Sequence, residues 1–198
     1  MKTQISALEL ELNTENAKRI REIAQAVGAF REGKVILASG KESDRYFEGE
    51  KVALSPEGAY LIGKAIFEDI LRDTDVDYIG GLATGAYPIA TAVSLISYMQ
   101  GKPIPSFVVR EELKTHGTMR KIEGHLKEGS KVAIVDDVIT TGGSIDKAIE
   151  AVEQAGCKVV KVIVLVDRKE GGSDKLRQRG YDFRAILGYP APRQVTLD

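Results

Sequence analysis

The hydrophobic positions along this chain change their period twice before Asp77. From Thr14 onward, Ala17, Ile20, Ile23, Ala24, Val27 and Phe30 recur at helical spacing, which predicts an amphipathic helix with Thr14 as its N-cap. In GKVILASGKESDRYFEGEKVAL the pieces VIL, RYF and KVAL are β-prone and separated by Gly/Ser turns, so a small antiparallel element is expected. Ser55-Pro56 opens a second helix, with proline at its first position. Most of Leu61, Ile62, Ala65, Ile66, Asp69 and Ile70 fit a buried face of that helix.

Beyond Asp77, strand and helix patterns alternate. DYIGG, IPSFVVR, KVAIV, CKVVKVIVLVDR and DFRAIL read as strands. GAYPIATAVSLISYMQG, GSIDKAIEAVEQAG and SDKLRQRG read as helices, and ELKTHGTMRKIEGHLKEG as a polar loop. Continuous apolar strands alternating with helices imply an α/β fold with a parallel sheet covered on both faces. The antiparallel piece before it would form a cap or hood. Ligands of such sheets sit at the carboxyl ends of the strands. Gly81–Gly85, Arg110–Gly124, Asp136–Ser144 and Asp167–Gly172 all fall there.

Composition narrows this picture. A chain of 198 residues with 43% hydrophobic and 29% charged residues fits one globular domain, 1–198. The formal net charge of -1 removes the broad basic field expected of a nucleic-acid binder. One cysteine, Cys157, allows no intrachain disulfide, and two histidines leave little for a His-based metal centre. The N-terminus has no apolar core of signal-peptide length, and AYPIATAVSLISYM is too short to span a bilayer. A cytoplasmic, soluble protein with no membrane partner is expected.

The candidate chemistry is densest in KVAIVDDVITTGGSIDKAIEAV. Thr140, Thr141, Gly142, Gly143 and Ser144 lie between a strand and a helix. Such a loop can turn successive N–H groups inward at a positive helix end, which suits a phosphate. The bland alternative is an ordinary strand–helix turn with a cap. No GxxxxGK[ST] lysine is present, so the loop is not a Walker A motif. Asp136 and Asp137 precede it, and the pleat is expected to send their side chains in opposite directions. Acids beside a phosphate site need something to accept from. Sugar hydroxyls meet that need, giving a ribose-5-phosphate site; a Mg²⁺ site and a structural cap are the alternatives.

VAIVDDVITTGGS resembles the phosphoribosyl-pyrophosphate (PRPP) signature of the type I phosphoribosyltransferases. Within that superfamily the chain is most similar to the orotate phosphoribosyltransferase family. GKVILASGKESDRYF is similar to its hood, VVREELKTHGTMRKIEG to its mobile catalytic loop, and LVDRKEGG to its base-binding segment. The resemblance runs from about Phe30 to Leu187, with about 30–55 contributing the hood and 77–187 the PRPP-binding core.

The resemblance implies a Mg²⁺-dependent transfer of phosphoribose from PRPP to orotate in pyrimidine biosynthesis. It places Asp136 and Asp137 on the ribose hydroxyls and Val138, Ile139 and Thr140 to Ser144 around the 5′-phosphate. Thr140, Arg168, Tyr46 and Phe47 would meet orotate. Arg110, Lys114 and His116 would close on the pyrophosphate, with Lys114 and His116 counted as catalytic beside the two acids. Ala83, Thr84 and Gly85 would form the pyrophosphate loop. Mg²⁺ would arrive mainly through PRPP, and a homodimer with shared sites is implied. The chain departs from the family at Arg110-Glu111-Glu112, where Arg-Lys-Glu is common, and at Ala38 and Gly85, where lysines occur. Lys41, Arg45, Lys114 and Arg120 would then supply more of the positive charge. A purine phosphoribosyltransferase and a PRPP-sensing regulator are the rivals. The hood argues against the first and the charge of -1 against the second.

Overall fold

The computed structural model describes residues 11–36, 42–111 and 121–189. Ala38, Lys41, Lys114, His116 and Arg120 lie outside them, as does the side chain of Arg45.

Helix α1, Glu15–Ala26, begins where the sequence signals it. Thr14 Oγ1 accepts from the Ala17 N–H at 3.2 Å and donates to Asp69 at 2.8 Å, so one side chain caps α1 and ties it to the next helix. Ala17, Ile20, Ile23 and Ala24 are buried, but the helix stops short of Val27 and Phe30. Gly28 takes φ +62 and turns the chain, so Phe30 starts strand β1, Phe30–Ile36. β1 pairs antiparallel with β2, Glu42–Phe47, which makes the expected hood. KVAL does not add a third strand. It falls in helix α2, Gly49–Ala53, whose Val52 and Ala53 are buried. A four-residue apolar piece carries no period of its own, and packing decided its form.

Helix α3, Pro56–Lys64, is capped by Ser55, whose Oγ accepts from the Gly58 N–H at 3.1 Å. It runs on as a π-helical stretch, Ala65–Leu71, which buries Ile66, Phe67 and Leu71 and leaves Asp69 outside, facing Thr14 and Asn16. The added residue per turn shifts the inner face away from the period expected for an α-helix.

Strand β3, Tyr78–Leu82, leads into helix α4, Ala86–Met99, and strand β4, Ser106–Val109. A short strand β5, Ile122–Gly124, sits where the sequence suggests only loop. Then follow β6 (Lys131–Ile139), α5 (Gly143–Gln154), β7 (Lys158–Asp167), α6 (Gly172–Gln178) and β8 (Phe183–Gly188). The six strands lie in the order β5-β4-β3-β6-β7-β8, and only β5 is antiparallel. Alternate residues of β6 enter two cores: Ala133 and Val135 pack with the α1, α3 and α4 side, Val132 and Ile134 with the α5 side.

The chain leaves β3 toward β4 and leaves β6 toward β7, in opposite directions. The crevice between the carboxyl ends of β3 and β6 is therefore the switch point where such sheets bind ligands. Replacing Thr14 by Ala removes the α1 cap and the tie to Asp69. It should cost about 1 kcal/mol and lower Tm by about 2–4 °C, readable by calorimetry.

Candidate active site

β6 does not end before the acids; it carries them. Asp136 pairs with Val164 of β7, and the strand continues to Ile139. Alternation governs where Cβ points, but the carboxylates come together beyond it. A Cβ on Gly85 would lie 2.5 Å from Asp136 Oδ1 and 2.7 Å from Asp137 Oδ1. Both oxygens therefore press on one glycine backbone, against the expectation that the acids face apart. On its other side Asp137 meets Gly49 at the start of α2, where a Cβ would lie 2.6 Å from Oδ2. Two glycines from distant parts of the chain make the space that the pair occupies. The Asp137 N–H donates to Asp136 Oδ1 at 3.0 Å.

This placement is electrostatically unfavourable for two carboxylates. Burial pushes the Asp136 carboxyl well above the ordinary carboxylate range, and the neighbouring Asp137 charge adds to it. Asp137 is raised too, again chiefly by burial, with Glu50 of α2 adding a like charge. Backbone N–H groups partly offset the rise.

Past the acids, Val138 is half-buried against one core and Ile139 is buried in the other, so they offer backbone to the site. Gly142 takes φ +92, which a side chain would resist, and stands before α5 without a side-chain cap bond. Thr141, Gly143 and Ser144 are exposed and Thr140 half-buried. The N-terminal N–H groups of α5 thus open onto the crevice beside hydroxyls, as an anion site requires.

The segment after β7 is bonded to this loop. Arg168 N–H donates to the Ile139 carbonyl at 3.1 Å, and Gly172 N–H to the Thr140 carbonyl at 2.9 Å. A Cβ on Gly172 would stand 2.5 Å from that carbonyl oxygen, so only glycine fits under the loop. Arg168 itself is 4% exposed and pairs with Glu170 at 2.8 Å. The neighbouring Asp167 accepts from the Lys169 N–H at 2.8 Å and faces Lys169 Nζ at 3.4 Å.

On the β3 side, Ala83, Thr84 and Gly85 link β3 to α4, with a cis peptide between Ala83 and Thr84 and an Ala83 N–H bond to Val109. Arg110 is half-buried, with Nε donating to Glu123 of β5 at 2.9 Å. Tyr46 is half-buried in the hood, while the Phe47 ring is buried against Phe30, 4.8 Å away. Among the described residues no group of three or more His, Cys, Asp or Glu could hold a metal by itself.

Gly49, Gly172 and Glu170 carry part of this site and were not singled out in the sequence. The Gly171-Gly172 doublet was the available signal for one of them. Nothing local marks Gly49, since its partner Asp137 lies far along the chain.

Residues 55–184 match the family model for the phosphoribosyl transferase domain. The orotate phosphoribosyltransferase of Bradyrhizobium diazoefficiens is 44% identical over 162 residues, covering 80% of this chain and 86% of that protein. The Mycobacterium tuberculosis orotate phosphoribosyltransferase in complex with PRPP superimposes with TM-score 0.71 at 33% identity, over 88% of this chain and 96% of that one. The same enzyme in complex with inorganic phosphate gives TM-score 0.74 at 34% identity, over 89% and 97%. A loop, an acid pair and a buried arginine at one switch point, with relatives of this identity across most of the chain, place it in a family: the chain belongs to the orotate phosphoribosyltransferases, pentosyl-transferring enzymes of the type I phosphoribosyltransferase fold.

Proposed function

We propose that this chain transfers the 5-phosphoribosyl group of PRPP to orotate, giving orotidine 5′-monophosphate and pyrophosphate, as a step of de novo pyrimidine synthesis in the cytoplasm. The observation that carries this reading is the pair of backbone bonds from Arg168 and Gly172 to Ile139 and Thr140. They set a cationic side chain for an anionic base beside a loop suited to a phosphate, with Asp136 and Asp137 next to both. The relative bound to PRPP supports the donor.

In this reading the α5 N-terminus, Thr140, Thr141 and Ser144 hold the 5′-phosphate. Asp136 and Asp137 accept from the ribose hydroxyls. The bond from C1 to the pyrophosphate oxygen breaks with its electron pair going to oxygen, and a ring nitrogen of orotate forms the new bond to C1. Positive charge grows on the sugar between these events. The acid pair, already desolvated and fixed, stabilises it more in the transition state than before. Arg168 and Tyr46 line the base, with Phe47 backing Tyr46. Arg110, with Lys114 and His116, and Ala83, Thr84 and Gly85 serve the pyrophosphate side.

Mg²⁺ fits this donor set in one way. Two hard carboxylates, with no group of three or more His, Cys, Asp or Glu among the described residues, suit a cation that keeps its waters and binds through substrate oxygens. Bound so, it would neutralise charge on the leaving pyrophosphate.

The domain reading is a single unit, 1–198, with hood and core as its parts. A homodimer with shared sites completes it. Its support is an apolar groove of about 610 Å³ between α3 and α4, with Leu54, Leu95 and Met99 exposed along it, wide for a face left to water.

Four outcomes are expected. With Mg²⁺ present, PRPP and orotate are consumed together, followed by orotate absorbance, in preference to adenine, hypoxanthine or uracil; faster turnover of a purine overturns the base assignment. Asp137→Asn loses about 10²–10³ in kcat at unchanged circular dichroism. In the ligand-free protein Asp136→Asn raises Tm by about 2–4 °C at pH 8. The sign follows from burial: the folded Asp136 keeps its proton to higher pH than the unfolded chain, so wild-type stability falls as pH rises above 3.8. The gain from Asn therefore shrinks as pH falls toward that value. Leu95→Glu weakens the dimer at least about tenfold by sedimentation, since it places a charge in an apolar contact.

A further inference from the structure

Tyr189, one residue past β8, touches both walls of the proposed base subsite. Its N–H donates to the Asp167 carbonyl at 3.1 Å, directly before Arg168. Its ring meets Phe30 edge-on at 5.3 Å. Its hydroxyl lies 2.9 Å from the Arg31 carbonyl and 3.2 Å from the Tyr46 carbonyl. Arg31 and Tyr46 are cross-strand partners in the hood. A phenol has one proton to give, so the two carbonyls share it. The residue thus links the strand that presents Arg168, through its backbone, to the strand pair that presents Tyr46, through its side chain. The hood needs such a tie, because a two-stranded ribbon is marginal by itself.

We infer that Tyr189 is a positioning residue that sets the distance between the hood and Arg168, and so tunes recognition of the base but not of the phosphoribosyl donor. The inference rests on the orotate reading for the identity of the base. The geometric argument needs only that Tyr46 and Arg168 face one ligand. The proposed donor contacts lie elsewhere: the α5 loop and the acid pair reach the sheet through β6, whereas the bonds of Tyr189 run to the end of β7 and to the hood.

The test is Tyr189→Phe, which keeps the ring and removes only the hydroxyl. KM for orotate should rise about two- to tenfold, the range a lost hydrogen bond allows. KM for PRPP should stay within about twofold and Tm within about 2 °C. In the free protein, amide hydrogen exchange of peptides covering 30–47 should accelerate several-fold while β6 and β7 peptides stay protected. Unchanged exchange in 30–47 overturns the tie. Faster exchange with unchanged KM for the base, or equal rises in both KM values, overturns the positioning role. If the wild type does not consume orotate, the orotate reading fails separately. The kinetic comparison then uses the nucleobase that the wild type does consume, and the exchange result stands on its own.

Discussion

Carboxylates leave water at a cost of several kcal/mol each unless something answers their charge. At the end of β6 two adjacent ones do so, crowded onto the backbones of Gly85 and Gly49. Much of the surrounding structure follows from that constraint. The β3–α4 connection can offer no side chain at Gly85, and α2 can offer none at its first residue. Burial disfavours the charged form of both acids, so hydroxyl donors and positive charge beside them are what would favour the carboxylates. Stability given up at a preorganised site is a common cost of catalysis.

The second constraint is a shared backbone. The phosphate loop and the arginine segment are bonded through Ile139 and Thr140, with Gly172 fitted beneath. These two segments therefore hold each other in place. An arginine that is almost wholly buried needs a partner, and Glu170 supplies it at 2.8 Å. A carboxylated base would enter a site where that charge is already held in place.

The departures at the catalytic loop also have places in the structure. Glu111, standing where lysine is common, faces Lys147 of α5 at 3.6 Å. Both side chains are well exposed, so the pair is weak in energy. Arg110 is bonded to Glu123, which holds its guanidinium near β5.

The chain by itself determined the alternation of elements after Asp77, the caps at Thr14 and Ser55, the presence of an antiparallel hood and the contiguous loop at 140–144. These depend on residues within a few positions of one another, where period, proline and capping hydroxyls act directly. The loop at 140–144 was legible for the same reason: its hydroxyls and glycines are neighbours in sequence. Tertiary structure decided the rest. KVAL became helical and β5 became a strand because their short patterns carried no period, and packing chose. The acids converged because side-chain alternation fixes only Cβ, while Gly49 and Gly85, far away in the chain, left room for the oxygens. Arg168 found Glu170 and Tyr189 found the hood by the same physics: contacts between distant residues are set by how layers pack, and no local spacing encodes them.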